Sequence, residues 1–180
     1  MPFLRIILAT FLMIDNIQKV MDNKRHDKQE IIVNEQSFIL RLATNDDFSF
    51  ILNLLKENML ESFQKHWGEW NEASFEKTHR LEHIRIIDFE DFSVGYIDFK
   101  FKVDCGYVND IQLSSKVRGI GLGTYIMKLV EQETLDHELK RVCLKVFKDN
   151  RVVKLYEKLG YKTISEDDSS LIMEKILIRI

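Results

Sequence analysis

Apolar residues recur along this chain at two different periods, and the changes between them divide it into elements. "FILRLA", Phe38 to Ala43, is rich in strand formers, and the "TNDD" behind it supplies capping residues and early negative charge for a helix. In that helix Phe48, Ile51, Leu52, Leu55 and Met59 share one face of a 3.6-residue period. Leu60, Phe63 and Trp67 either extend it or open a second helix, Gly68 interrupts the pattern, and "NEASFEKTHRL" resumes a helical one to about Leu81.

The period then falls to two. "HIRIIDF" (83–89), "FSVGYIDFKFK" (92–102) and "CGYVNDIQL" (105–113) read as an antiparallel meander, with Ile97, Phe99 and Phe101 alternating with Asp98, Lys100 and Lys102. Leu122, Ile126, Leu129 and Val130 restore a helical face ending near His137, and "RVCLKVF" (141–147) alternates again. A helix between two strands predicts a right-handed parallel crossover. "NRVVKLYEKLG" is a short helix started by Asn150 and stopped by Gly160, and the strands "YKTIS" and "LIMEKILI" close the order. The expected architecture is α+β: a mixed, mostly antiparallel sheet flanked by helices.

The N-terminus stands apart. "RIILATFLMID" holds a nine-residue, largely apolar run between Arg5 and Asp15, too short for a bilayer span of about 20. It has the length of a signal-peptide core, but charged "DNIQKVMDNKRHDKQE" follows where a small-x-small cleavage site would stand. Residues 1–36 are therefore expected to be an extension, an extra helix or the product of an early start, and residues 37–180 a single domain.

Composition narrows the function. A formal charge of −3 over 180 residues leaves no basic footprint for nucleic acid. Cys105 and Cys143 lie in separate strand-like runs without metal-ligand spacing, as expected of reduced thiols in a cytoplasmic protein with no metal and no membrane partner. His66, His79 and His83 form no ligand or triad pattern.

The informative stretch is "SSKVRGIGLGTYIMKLV", Ser114 to Val130. Helix N-termini attract phosphate through N–H groups that lack intrahelical partners, and glycines let an anion reach that backbone. A P-loop is excluded because Thr124 follows Gly123 directly, without the lysine. A dinucleotide fingerprint would follow the first strand of a βαβ unit, whereas this loop follows antiparallel strands.

Arg118-Gly119-Ile120-Gly121-Leu122-Gly123 resembles the R/Q-x-x-G-x-G/A pyrophosphate loop of the GNAT superfamily of N-acetyltransferases. Downstream, "NRVVKLYEKLGY" (150–161) is similar to a second element of that superfamily, N-x-x-A-x-x-L-Y-x-K-x-G-F, with Val153 replacing the small residue and Tyr161 the Phe. The resemblance covers roughly Phe38 to Ile176 and implies the GNAT fold in a bacterial-type member.

It also implies acetyl-CoA as cosubstrate, without a metal. The pantetheine arm would pair with the strand at Ile111, Gln112 and Leu113, and the phosphates would lie on Arg118, Gly119, Gly121, Gly123 and Thr124. Asn150 would either hydrogen-bond the cofactor arm or cap its helix.

Amide formation needs a neutral amine, and freeing a lysine-like amine of its proton at pH 7 costs about 4.6 kcal/mol. Asp110 matches the position of the superfamily's general base, ahead of Asp98 and Glu61, and Tyr156 matches its general-acid tyrosine. Glu57, Glu61, Trp67 and Trp70 are the candidates for holding a cationic acceptor, by charge and cation–π contact. The acceptor is a small-molecule or peptide amine, with polyamine, aminoglycoside, amino acid and protein N-terminus all open, and a homodimer is possible. The alternatives are a non-catalytic acyl-CoA-binding or regulatory module of the same fold and a nucleotide-binding domain.

Overall fold

The computed structural model describes residues 28–68 and 81–178. Among these, eight strands form one sheet in the order β1-β2-β3-β4-β5-β6-β8-β7. The strands are β1 (Lys28–Val33), β2 (Gln36–Leu42), β3 (Ile84–Phe89), β4 (Phe92–Phe101), β5 (Gly106–Leu113), β6 (Arg141–Phe147), β7 (Lys162–Glu166) and β8 (Ser170–Ile176). Three helices pack on them: α1 (Phe48–Trp67), α2 (Leu122–Asp136) and α3 (Val153–Lys158). All strand pairs are antiparallel except β5 with β6, which α2 joins as the expected crossover.

The first strand was not expected. β1 pairs along its whole length with β2, so residues assigned to an extension belong to the sheet from Lys28 onward. Their hairpin turns through Asn34 and Glu35, both at positive φ (50° and 65°), the twist a two-residue hairpin prefers. The usual Asn-Gly signal is absent, which hid the turn. The apolar run ending at Asp15 and the helical pattern from Asn71 to Arg80 lie outside the described residues.

The sheet has two buried faces. On one, Ile51, Leu52, Leu54 and Leu55 of α1 cover Ile84, Ile86 and Tyr96. Each such aliphatic side chain contributes about 1.5–3 kcal/mol on full burial. On the other, Leu122, Ile126, Met127 and Val130 of α2 pack on Ile97, Val108, Val142 and Leu144, with Tyr156 of α3 in the same cluster. α1 is one helix through Trp67, so Leu60, Phe63 and Trp67 continue it.

The entry to α1 is fixed by charge. Thr44 and Asp47 form a reciprocal cap, with the Thr44 N–H donating to Asp47 Oδ2 at 2.7 Å. Arg41 of β2 donates to both Asp47 oxygens at 2.8 Å and to Asp88 of β3 at 2.6 Å. The Arg41 guanidinium holds the Asp47 carboxyl down at about 2, against the opposing effect of burial. Cys105, buried just before β5, and Cys143 of β6 are free thiols. Among the described residues no helix is long and apolar enough to cross a membrane.

Candidate active site

β5 and β6 hydrogen-bond only from Gly106–Val108 to Val142–Leu144, and beyond that they part. Two local features drive them apart. The β4–β5 register shifts between Asp98 and Phe99, leaving Asn109 as the extra residue of a bulge, and bulges bend and twist a strand. Gly95 of β4 lets β5 pass closely, since a Cβ there would meet the Gln112 carbonyl and Leu113 Cδ2 at 2.7 Å. The rest of β5, through Leu113, therefore runs beside a cavity of about 1100 Å³ instead of a strand.

Side-chain alternation gives the cavity two unlike sides. Ile111 and Leu113 pack toward the α2 core, whereas Asp110 and Gln112 bond to Tyr96 and Asn58 on the α1 side. The Tyr96 hydroxyl donates to Asp110 Oδ2 at 2.5 Å, and Gln112 Nε2 donates to Asp110 Oδ1 at 2.7 Å. Asn58 Nδ2 in turn donates to Gln112 Oε1 at 2.9 Å. Burial raises the Asp110 carboxyl to about 6, and the two donors limit the rise. Asp98 takes a hydrogen bond from Asn109 and is buried outside the cavity wall.

The glycine loop closes the α2 side. Gly119 and Gly121 have positive φ (77° and 90°), and Gly121 is the residue before α2 begins. A Cβ on Gly121 would meet only Val33 Cγ1 at 3.9 Å, so backbone conformation, not crowding, demands glycine there. The intrahelical ladder opens with the Tyr125 N–H donating to the Gly121 carbonyl, so the N–H groups of Leu122, Gly123 and Thr124 precede it at the cavity wall. Arg118 also lines the cavity but turns toward β5, donating to the Leu113 carbonyl at 2.9 and 3.0 Å and to Asn58 Oδ1.

Tyr156 is buried and lines the cavity on the α3 side. Burial, then the Asp110 charge, pushes its phenol well above 10, so it stays protonated. Asn150 uses its two ends separately. Its Oδ1 accepts the Val152 N–H at 3.0 Å, starting the turn into α3, while Nδ2 points across to Met59 of α1.

Of the acceptor candidates, Trp67 stands on the cavity wall, 61% exposed. Glu57 and Glu61 are exposed on α1 and take no part in that wall, because the face that carries Leu55, Met59 and Phe63 is the one turned to the sheet. Trp70 lies outside the described residues. Sequence reasoning missed Tyr96, Asn58, the Gln112 side chain and Phe147. The readable signal was Asp110-x-Gln112, two polar residues on the strand face that a covering helix should make apolar.

A split sheet beside a glycine-opened helix defines a class, and comparison with known proteins identifies it. Residues 48–161 match the model of the Acetyltransferase (GNAT) family, and the chain belongs to that family. A Bacillus subtilis relative, the uncharacterized protein YxbD, is 26% identical over 104 residues, 56% of this chain and 64% of its own length. The chain thus spans less than two thirds of that relative. A GNAT-family acetyltransferase from Listeria monocytogenes superposes with a TM-score of 0.61 at 14% identity, over 83% of this chain and all of its own. The PaiA N-acetyltransferase of Thermoplasma acidophilum, solved with coenzyme A, does so at 0.63 and 16% identity, over 77% of this chain and 98% of its own. At such identities the two structures establish the fold, which is the expected GNAT fold.

Proposed function

We propose that this chain transfers an acyl group, most simply acetyl, from acyl-CoA to a primary amine by direct attack in a ternary complex. One observation carries the reading: the split between β5 and β6 opens at one end on the bare N-terminus of α2. Along it the split has a carboxyl, Asp110, and a phenol, Tyr156. The cavity suits a long thin cosubstrate with an anionic end. Beyond Val108 the β6-facing edge of β5 has no strand partner, so the stretch Ile111 to Leu113 offers strand-like pairing to an amide-bearing arm once Arg118 and Asn58 release the Leu113 carbonyl, and the N–H groups of Leu122 to Thr124 offer an anion site. PaiA, a structural neighbour, was crystallised with coenzyme A, which supports this choice.

The chemistry follows from proton affinities. Asp110 accepts the proton the amine must lose, and at about 6 it is ionised at neutral pH yet more basic than an ordinary carboxylate. Tyr96 and Gln112 hold that carboxylate in place. Nitrogen bonds to the carbonyl carbon, the C–S bond breaks, and the electron pair leaves on sulfur. Tyr156, kept protonated by burial, donates a hydrogen bond to that sulfur. Arg118 is tied to Leu113 and Asn58, and it exchanges these partners for phosphate when the cosubstrate binds.

Release of free thiol from acetyl-CoA over an amine panel tests the reading. Turnover with at least one amine is expected. Tight acetyl-CoA binding with no turnover on any amine would instead fit a regulatory acyl-CoA module.

A further inference from the structure

On the α1 side of the split stands an aromatic wall. Phe63 and Trp67, one helical turn apart, stack with centroids 5.0 Å apart and planes at 14°. Phe147, at the end of β6, meets Trp67 edge-on at 4.9 Å and Phe63 at 6.0 Å. His66 covers Phe147 at 4.6 Å and is held by Asp149, whose carboxylate it meets at 3.1 Å. The wall is anchored from two elements, yet Trp67 leaves 61% of its surface open beside the cavity.

Charge on the same cavity runs against a polycation. Among the described residues its ionisable side chains of fixed sign are Asp110, Arg118, Lys145 and Arg151, one carboxylate to three cations. Lys145 is paired with Asp167 at 2.8 Å. The one carboxylate is the proposed base. Among the described residues lining the cavity, a second ammonium on the acceptor would find no carboxylate of its own.

We infer that the acceptor is a monoamine carried on a flat, uncharged aromatic body, which lies against Trp67 while its nitrogen reaches Asp110. This rests on the acyl-transfer reading above and narrows its substrate class. An aromatic body gains ring contact that a polyamine or aminoglycoside cannot, and it brings no extra positive charge.

The test uses the full chain with 2-phenylethylamine and tryptamine against spermidine, kanamycin and hexylamine. In thiol release at saturating acetyl-CoA, kcat/KM for the aromatic amines should exceed that for spermidine and kanamycin by about tenfold or more, the equivalent of one good ring contact. Hexylamine should fall between. Trp67→Ala should raise KM for 2-phenylethylamine by about tenfold with acetyl-CoA affinity unchanged, and Trp67→Phe should recover most of the loss. Spermidine or kanamycin as the best acceptor, or a KM for 2-phenylethylamine indifferent to Trp67→Ala, overturns the inference. Calorimetry separates failure of acyl transfer from failure of the aromatic acceptor. If wild-type protein does not bind acetyl-CoA, the transferase reading fails. If protein saturated with CoA does not bind 2-phenylethylamine, the aromatic acceptor fails, whatever the turnover with other amines.

Discussion

Replacing Asp110 by Asn should lower activity and raise stability at the same time. Asp110 lies between Tyr96 and Gln112 in a cavity wall, where burial lifts its carboxyl to about 6 from an ordinary 3.8. That difference corresponds to roughly 3 kcal/mol spent on holding the ionised form in the fold. The sign follows from proton uptake: the native state binds the proton more tightly than the unfolded chain. The group therefore costs nothing below about pH 4, and the cost grows as pH rises through 6. A neutral Asn removes the cost at pH 7.5 and changes little at pH 4.

Roughly 3 kcal/mol is an upper limit, because the Asn amide cannot accept from both Tyr96 and Gln112; a rise of a few degrees in Tm at pH 7.5 is expected. Activity moves the other way. Loss of a general base costs on the order of 10²–10⁴ in rate, out of the roughly 4.6 kcal/mol needed to strip a lysine-like amine at pH 7. Paired thermal melts at pH 4 and 7.5 and a thiol-release assay read both effects. A variant that keeps more than about half its activity removes Asp110 from catalysis, since a base contributes at least about 10². One that loses stability at pH 7.5 refutes the burial argument.

Four other outcomes follow from the same geometry. The pH profile of kcat/KM should bend near 6, rising more steeply below it because both Asp110 and the amine must then shed protons; the Asn variant should lose the bend. Gly121→Ala should weaken acetyl-CoA binding in calorimetry, because φ of 90° at the start of α2 costs a side-chain-bearing residue about 1–2 kcal/mol, and Gly121→Glu should abolish it. Tyr156→Phe should lower kcat while the acetyl-CoA Kd stays within about twofold, since only a hydrogen bond to the departing sulfur is lost. Asp47→Asn should cost about 2 kcal/mol in urea melts at pH 7. Asp47 sits at about 2 in the fold, so this contribution is present above about 4 and disappears as pH falls toward 2.

The elements whose period is set by burial on one face were readable in the sequence. α1 from Phe48, the three-strand meander and the β5-α2-β6 crossover all follow from which positions must be apolar. Features set by long-range partners were not. β1 carries Ile31, Ile32 and Val33 behind a polar and charged stretch, and only its pairing with β2 makes it a strand. The parting of β5 from β6 is an absence of hydrogen bonds, and an absence leaves no local pattern, although Gly95 marks the close approach that permits it.

The glycine loop was legible because positive φ demands glycine at Gly119 and Gly121. The inward turn of Arg118 was not, since it depends on Asn58, 60 residues earlier. Phe147 read as the last apolar residue of an alternating strand. Its place against Phe63 and Trp67 emerges only when β6 lies beside α1.

Calorimetric titration of acetyl-CoA into the full chain, with ATP and NAD in parallel, tests whether the split between β5 and β6 is an acyl-CoA site. Micromolar binding of acetyl-CoA, and of CoA, is expected, with none for ATP or NAD. Absence of acetyl-CoA binding in protein shown to be folded, or equal affinity for ATP, would contradict it.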